Sequence, residues 1–153
     1  MAHVHKGDCL GFIRESRVMT LGTMGSKAQT PWTAPVYYLY EDKGFYFFSN
    51  PKSRHIQEGS DRPCSASIFK DAASFEQLMG VQMTGQIKVS AKTSQSLQIA
   101  VKYARRFSIT ISSENVLNFF KQRFHARLYS FDPREIYFMD NGKGFGSREK
   151  IQL

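Results

Sequence analysis

"GVQMTGQIKVS", residues 80–90, alternates residue by residue, with Val81, Met83, Ile87 and Val89 on one side and Gln82, Thr84, Gln86 and Lys88 on the other. Successive side chains of an extended chain point to opposite faces, so the pattern predicts a half-exposed antiparallel strand. A helix would turn Val81 and Met83 about 200° apart and scatter the apolar set.

Outward from this strand the same kind of signal recurs. Upstream, CSASIFK and RVMTLGTM read as strands, and PWTAPVYYLY meets GFYFFS across EDKG as a β-hairpin. Asp8 caps a short first helix carrying Leu10, Phe12 and Ile13. Downstream, residues 93–107 switch to helical spacing, with Leu97, Ala100, Val101, Ala104 and Phe107 on one stripe, and SSENVLNFF offers a second helix capped by Ser112 or Ser113. FHARLYSF and EIYFMD then form two strands around an Asp132-Pro133 turn, with His125 on the polar phase of the first. Six or seven short, mostly antiparallel strands with a few covering helices predict a mainly β fold, a small barrel or strongly coiled sheet. No repeat or long linker divides residues 1–153, so the chain reads as one domain.

The 153 residues suffice for a core without metal or disulfide staples. No apolar run approaches the roughly 18–20 residues of a membrane span, and MAHVHKGDCL lacks the apolar block of a secretory signal, which predicts a soluble, cytoplasmic protein. Cys9 and Cys64 have no CxxC spacing and read as reduced, partly buried thiols. A formal charge of +8 points to an anionic partner: nucleic acid, a membrane surface or a phosphorylated small molecule. With 13 Phe, 7 Tyr and 1 Trp, one barrel interior does not cover all the rings, which predicts a twofold dimer.

The chemistry concentrates in FFSNPKSRHIQ, residues 47–57. Asn50 as cap and Pro51 at the first helical position predict a short helix from Pro51 to about Glu58, ending near Gly59. The unpaired N–H groups of such a helix start suit an anion, and Lys52, Ser53, Arg54 and His55 add charge and donors. Three charge-assisted bonds at about 1.5–3 kcal/mol each barely exceed the low end of the about 4–15 kcal/mol cost of association. A useful ligand therefore needs an apolar part, for which Trp32, Tyr37, Tyr38, Phe47 and Phe48 offer flat surface. A planar aromatic phosphate ester fits both requirements.

YEDKGFYFFSNPKSRHIQ resembles the strand, turn, strand and Ser-Arg-Lys segment of the pyridoxamine 5'-phosphate oxidase-like split-barrel proteins, which bind FMN between two subunits. The likeness is best over residues 33–56, and DNGKGFG is similar to the ending of a small uncharacterised branch of that superfamily. The resemblance implies a split β-barrel homodimer with FMN, another flavin or haem at the subunit interface. It implies that Ala34, Pro35 and Val36 run along the flavin ring, that Phe48 and Ser49 edge it, and that Ser53 and Arg54 take the phosphate with help from Lys52. The family's phosphate lysine is His55 here, its strand arginine is Thr33 and its later glutamine is Gly80. Its substrate lysine is Tyr38, and no match to its substrate-binding Tyr, Arg and Ser spacing appears near Tyr103, which argues against vitamin oxidation.

Two readings compete: an FMN-dependent oxidoreductase, and a flavin- or haem-binding module without turnover in which His55 or His125 ligates haem. A third, RNA or DNA binding, draws on the charge and on KGFGSREK, which begins like an RNA-binding RNP1 pattern but continues with Ser147, Arg148 and Lys150 where aromatic and Val residues belong. Lys102, Arg105, Arg106, Lys121, Arg123 and Arg127 read as solvated helix and strand faces. His3 and His5 have no partners at ligand spacing, so no native metal is predicted.

Overall fold

Alternation in residues 80–90 is answered by a strand, β6 (Met79–Val89), with Val81, Met83 and Ile87 buried and Gln82, Thr84 and Lys88 exposed. Val89 departs from the pattern, 58% exposed on the last rung of its ladder. The computed structural model describes residues 6–27 and 29–153; His3 and His5 lie outside them.

The remaining elements are α1 (Lys6–Glu15), β1 (Val18–Met24), β2 (Pro31–Tyr37), β3 (Leu39–Glu41), β4 (Gly44–Ser49), α2 (Arg54–Gly59), β5 (Pro63–Lys70), α3 (Ser94–Arg106), α4 (Val116–Phe124), β7 (Arg127–Asp140) and β8 (Arg148–Ile151). The strands form one antiparallel sheet in the order β2-β1-β5-β6-β7-β4-β3, with β8 pairing β7 beyond the end of β4. β2 and β3 are therefore opposite edges of the sheet, yet only Tyr38 separates them in sequence. The sheet curls into a half-barrel, bringing β2 near β4 along a seam without ladder pairing. Phe45, Phe47, Phe131 and Phe138 fill its interior with Leu21 and Ile87. No helix among the described residues is long and apolar enough to cross a membrane.

Several boundaries differ from the sequence reading. The hairpin is made by β3 and β4 alone, around Asp42 and Lys43, both left-handed (φ 46° and 66°) as a tight hairpin turn demands; β2 pairs with β1 instead. The two predicted C-terminal strands are one, because a bulge at Thr84/Gly85 lets Pro133 pass without breaking the ladder. His125 lies before that strand, as the left-handed C-cap of α4 (φ 51°). Asn115 caps α4, its side chain donating to Ser112 Oγ at 3.1 Å. Asp8 lies inside the first turn of α1 and pairs with Lys143. The polar ending carries a further strand, β8, too short for periodicity to mark.

Thr93 and Ser96 close a reciprocal capping box on α3, so residues 93–107 form the helix and its two caps as predicted. Its apolar side packs with α4 as a satellite cluster containing Ala100, Tyr103, Ala104, Val116 and Phe120. Arg106 is not merely solvated: its Nη2 donates to the carbonyls of Arg14 (2.8 Å) and Ser16 (2.6 Å), tying α3 to the end of α1. Cys9 and Cys64 are buried, free thiols.

Candidate functional site

β4 ends at Ser49, and the chain turns before α2. Asn50 makes the turn: its carbonyl accepts from Ser53 N at 2.9 Å and its Oδ1 from Lys52 N at 2.8 Å. Pro51 and Lys52 thus belong to the turn, and α2 begins only at Arg54 with Ser53 as its cap. A six-residue helix adds little dipole, so any affinity for anions rests on side chains.

Three predicted residues meet directly. Ser49 Oγ lies 2.8 Å from His55 Nε2 and 3.3 Å from Ser53 Oγ. Ser53 makes no side-chain cap bond, so its hydroxyl proton is available to a ligand. Burial pushes the His55 pKa below its ordinary value, so the neutral imidazole prevails near pH 7. With the Ser49 hydroxyl donating to Ser53 Oγ, its one proton is used, and His55 Nε2–H donates to Ser49 in the neutral ring as in the protonated one. The three groups form a short relay ending at the turn's surface.

Arg54 leaves this cluster sideways. Its Nε donates to Glu58 Oε1 at 2.8 Å, and the guanidinium carbon stands 4.4 Å from the centre of the Trp32 ring. Its terminal nitrogens remain for a ligand, and its side chain is 40% exposed. Lys52 is exposed beside it. The Glu58 partnership was missed by the sequence reading, although the i,i+4 spacing signals it.

Across the seam, Ala34, Pro35 and Val36 lie on edge strand β2. Ala34 is buried, Val36 half-buried and Pro35 exposed, so Ala34 and Val36 present mainly backbone to a ligand. Phe48 stacks on Phe120 at 3.7 Å and touches Tyr103, which confines it to the wall of a groove. That groove, about 630 Å³, is lined by Ser49 and Asn50 at one end, by Tyr37, Phe48 and Phe107, and by Arg17 and Arg106. A second groove, about 720 Å³, is lined by Met24, Pro31, Trp32 and Thr33 at the other end of β2. Of the Ser-Arg turn only Ser49 and Asn50 line a groove; Lys52, Ser53, Arg54 and His55 line neither.

Tyr38 and Phe47 correct the expected flat surface: both are fully buried. The Tyr38 hydroxyl donates to the Ile13 carbonyl at 2.6 Å and cannot meet a ligand, while burial drives its pKa far upward. His125 is exposed and far along the chain from the turn, at the end of α4.

A family model described as pyridoxamine 5'-phosphate oxidase matches residues 6–140. No curated protein sequence matches the chain. Among solved structures, Campylobacter jejuni ChuZ superposes with a TM-score of 0.75 at 12% identity, over 99% of this chain and 61% of its own. This chain thus spans less than two thirds of ChuZ. HutZ, described as the heme storage protein from Vibrio cholerae, gives a TM-score of 0.68 at 12% identity over 85% of this chain and 91% of its own. An FAD binding protein from Mycobacterium smegmatis gives 0.60 at 10% identity over 87% and 91%. At these identities the likeness is one of fold.

Proposed function

The chain belongs to the pyridoxamine 5'-phosphate oxidase family, and on that premise we propose that it is an FMN-binding flavoprotein acting as an oxidoreductase. The observation that carries this reading is the cluster of Ser49, Ser53 and His55 at the end of β4, with Arg54 over Trp32 of β2. The donor set suits a phosphate: a hydroxyl proton, the free edge of a guanidinium and the nearby Lys52 ammonium. Ser53, Arg54 and Lys52 hold the phosphate, the edge of β2 at Ala34, Pro35 and Val36 runs along the ring system, and Phe48 and Ser49 border it. Bound FMN supplies the electron-transfer chemistry; the side chains bind and orient it.

A twofold dimer is part of the proposal. Val18 and Tyr37, paired across β1 and β2 and 42% and 59% exposed, form an apolar patch on the outer face of the sheet that a second copy would cover. Light scattering of freshly purified protein, read with its absorption spectrum, tests both points together. The expected result is a dimer that takes up added FMN to near one per chain, with flavin bands bleached by NADH or NADPH. A colourless monomer that ignores added FMN would overturn the reading.

A second reading, haem binding without turnover, is supported by the fold shared with HutZ and by the neutral imidazole of His55, which is the ligating form. A Soret band in place of flavin bands would favour it, and its loss in His55→Ala or His125→Ala would identify the ligand.

The relay gives the flavin reading a pH signature. A bound phosphate dianion favours imidazolium, so its arrival raises the His55 pKa and draws in a proton. Affinity for FMN is expected to rise as pH falls through the His55 pKa of the complex, and to level off below the depressed pKa of the free protein. His55→Asn should remove that component, leaving only the titration of the phosphate itself; titrations of both proteins against pH check this. Folding has the opposite sign. The unfolded chain binds the proton more readily, so His55 lowers stability as pH falls from the ordinary imidazole value to the depressed one.

A further inference from the structure

We propose that Glu58 sets how strongly this site holds phosphate, as a built-in counter-charge that keeps a phosphorylated ligand exchangeable. The inference rests on the phosphate reading of the Ser-Arg turn. Glu58 Oε1 accepts from Arg54 Nε at 2.8 Å, and the Glu58 side chain is only 16% exposed against 40% for Arg54. The end of β1 closes over its stem: a Cβ added at Gly25 would stand 3.0 Å from Glu58 Cγ. Among the described residues Oε2 is buried without a hydrogen-bond partner, and Arg54 is the cation paired with the carboxylate.

Arg54 does not need this charge to be placed, because Trp32 holds the guanidinium face at 4.4 Å. What Glu58 does is cancel it. Lys52 and Arg54 contribute two positive charges, Glu58 removes one, and neutral His55 adds none. A phosphate dianion therefore meets a net single charge, which is a weak grip for a resident cofactor and a suitable one for a ligand that comes and goes. A carboxylate this close to a bound dianion in a partly buried site is worth on the order of a tenfold change in affinity.

Glu58→Gln keeps an oxygen for Arg54 Nε and loses the charge. Trp32 is the single tryptophan of the chain and lies under Arg54, so its fluorescence reports ligands at the turn. Inorganic phosphate, FMN and riboflavin are titrated into wild type, Glu58→Gln and Glu58→Ala. Both variants are expected to bind phosphate and FMN about tenfold more tightly, with riboflavin unchanged and the gain shrinking as salt is added. Unchanged or weaker FMN and phosphate binding, or riboflavin moving in step with FMN, overturns the proposal. If phosphate tightens while neither flavin binds, the role of Glu58 stands and the flavin reading falls. If FMN binds and the variants leave it unaltered, the flavin reading stands and Glu58 has no such role; if neither phosphate nor FMN binds any of the proteins, both fall.

Discussion

Replacing Arg54 with Ala is expected to weaken FMN binding by roughly one to two orders of magnitude while leaving riboflavin affinity within about a factor of two. A charge-assisted hydrogen bond contributes about 1.5–3 kcal/mol, and each 1.4 kcal/mol is a factor of ten in affinity. Arg54 is the group best suited to supply two such bonds in parallel: its face is already held by Trp32, so little side-chain freedom is lost on binding. Lys52, exposed and unoriented, can replace the charge but not the fork. Riboflavin lacks the phosphate, so its binding reports only the contacts of the ring and ribityl chain. Fluorescence titration of both flavins measures the split. Equal loss for FMN and riboflavin would place the phosphate elsewhere and remove the Ser-Arg turn from the site.

The largest expected effect on stability is at Gly85, where the β6–β7 ladder changes register. A Cβ there would stand 2.4 Å from the Asp132 carbonyl oxygen and 2.8 Å from the Phe131 ring. The first of these is backbone, fixed by the ladder, so the collision cannot be relieved by a rotamer change. Gly85→Ala is expected to cost about 2–3 kcal/mol, a drop in Tm of roughly 5–10 °C for a domain of this size. Gly11→Ala is the control. It sits inside α1 with no atom within 4 Å of an added Cβ, and should hold or raise the Tm, since Ala is favoured over Gly in a helix by about 1 kcal/mol. Thermal unfolding of the two variants beside wild type decides; a Gly85→Ala protein as stable as its parent would mean that the bulge is not rigid.

The parts of this fold that were legible are those where one local signal decides. Period-two alternation marked β6, and helical spacing with a Thr93 start marked α3, because each has one wet and one dry face. Pairing was less legible. PWTAPVYYLY is rich enough in β-formers to join any neighbour, and nothing local says that Pro31–Tyr37 pairs backwards with β1 while only Leu39–Glu41 turns into the hairpin. The continuous β7 was hidden because Pro133 ends most strands, and its tolerance depends on Gly85 across the ladder, 48 positions earlier in the sequence.

At the site the residue types were readable and their partners were not. Ser49, Ser53, Arg54 and His55 stand in one short segment, so the turn that gathers them was visible. Tyr38 and Phe47 were assigned to the ligand because aromatic side chains do not declare which face of a strand they occupy; both face the interior. Arg106 was taken for a solvated charge, since the carbonyls it clamps lie about 90 positions earlier in the chain.

The single residue between β2 and β3 limits how the seam can move. Tyr37 and Leu39 cannot separate by more than about 7 Å across Tyr38, and that side chain is anchored beneath by its bond to Ile13. Such a hinge permits breathing of the rim but no wide gape. A guest must thread past rotating side chains, so its arrival and departure are paced by local rearrangement of Trp32, Tyr37 and Phe48 instead of by two halves swinging apart.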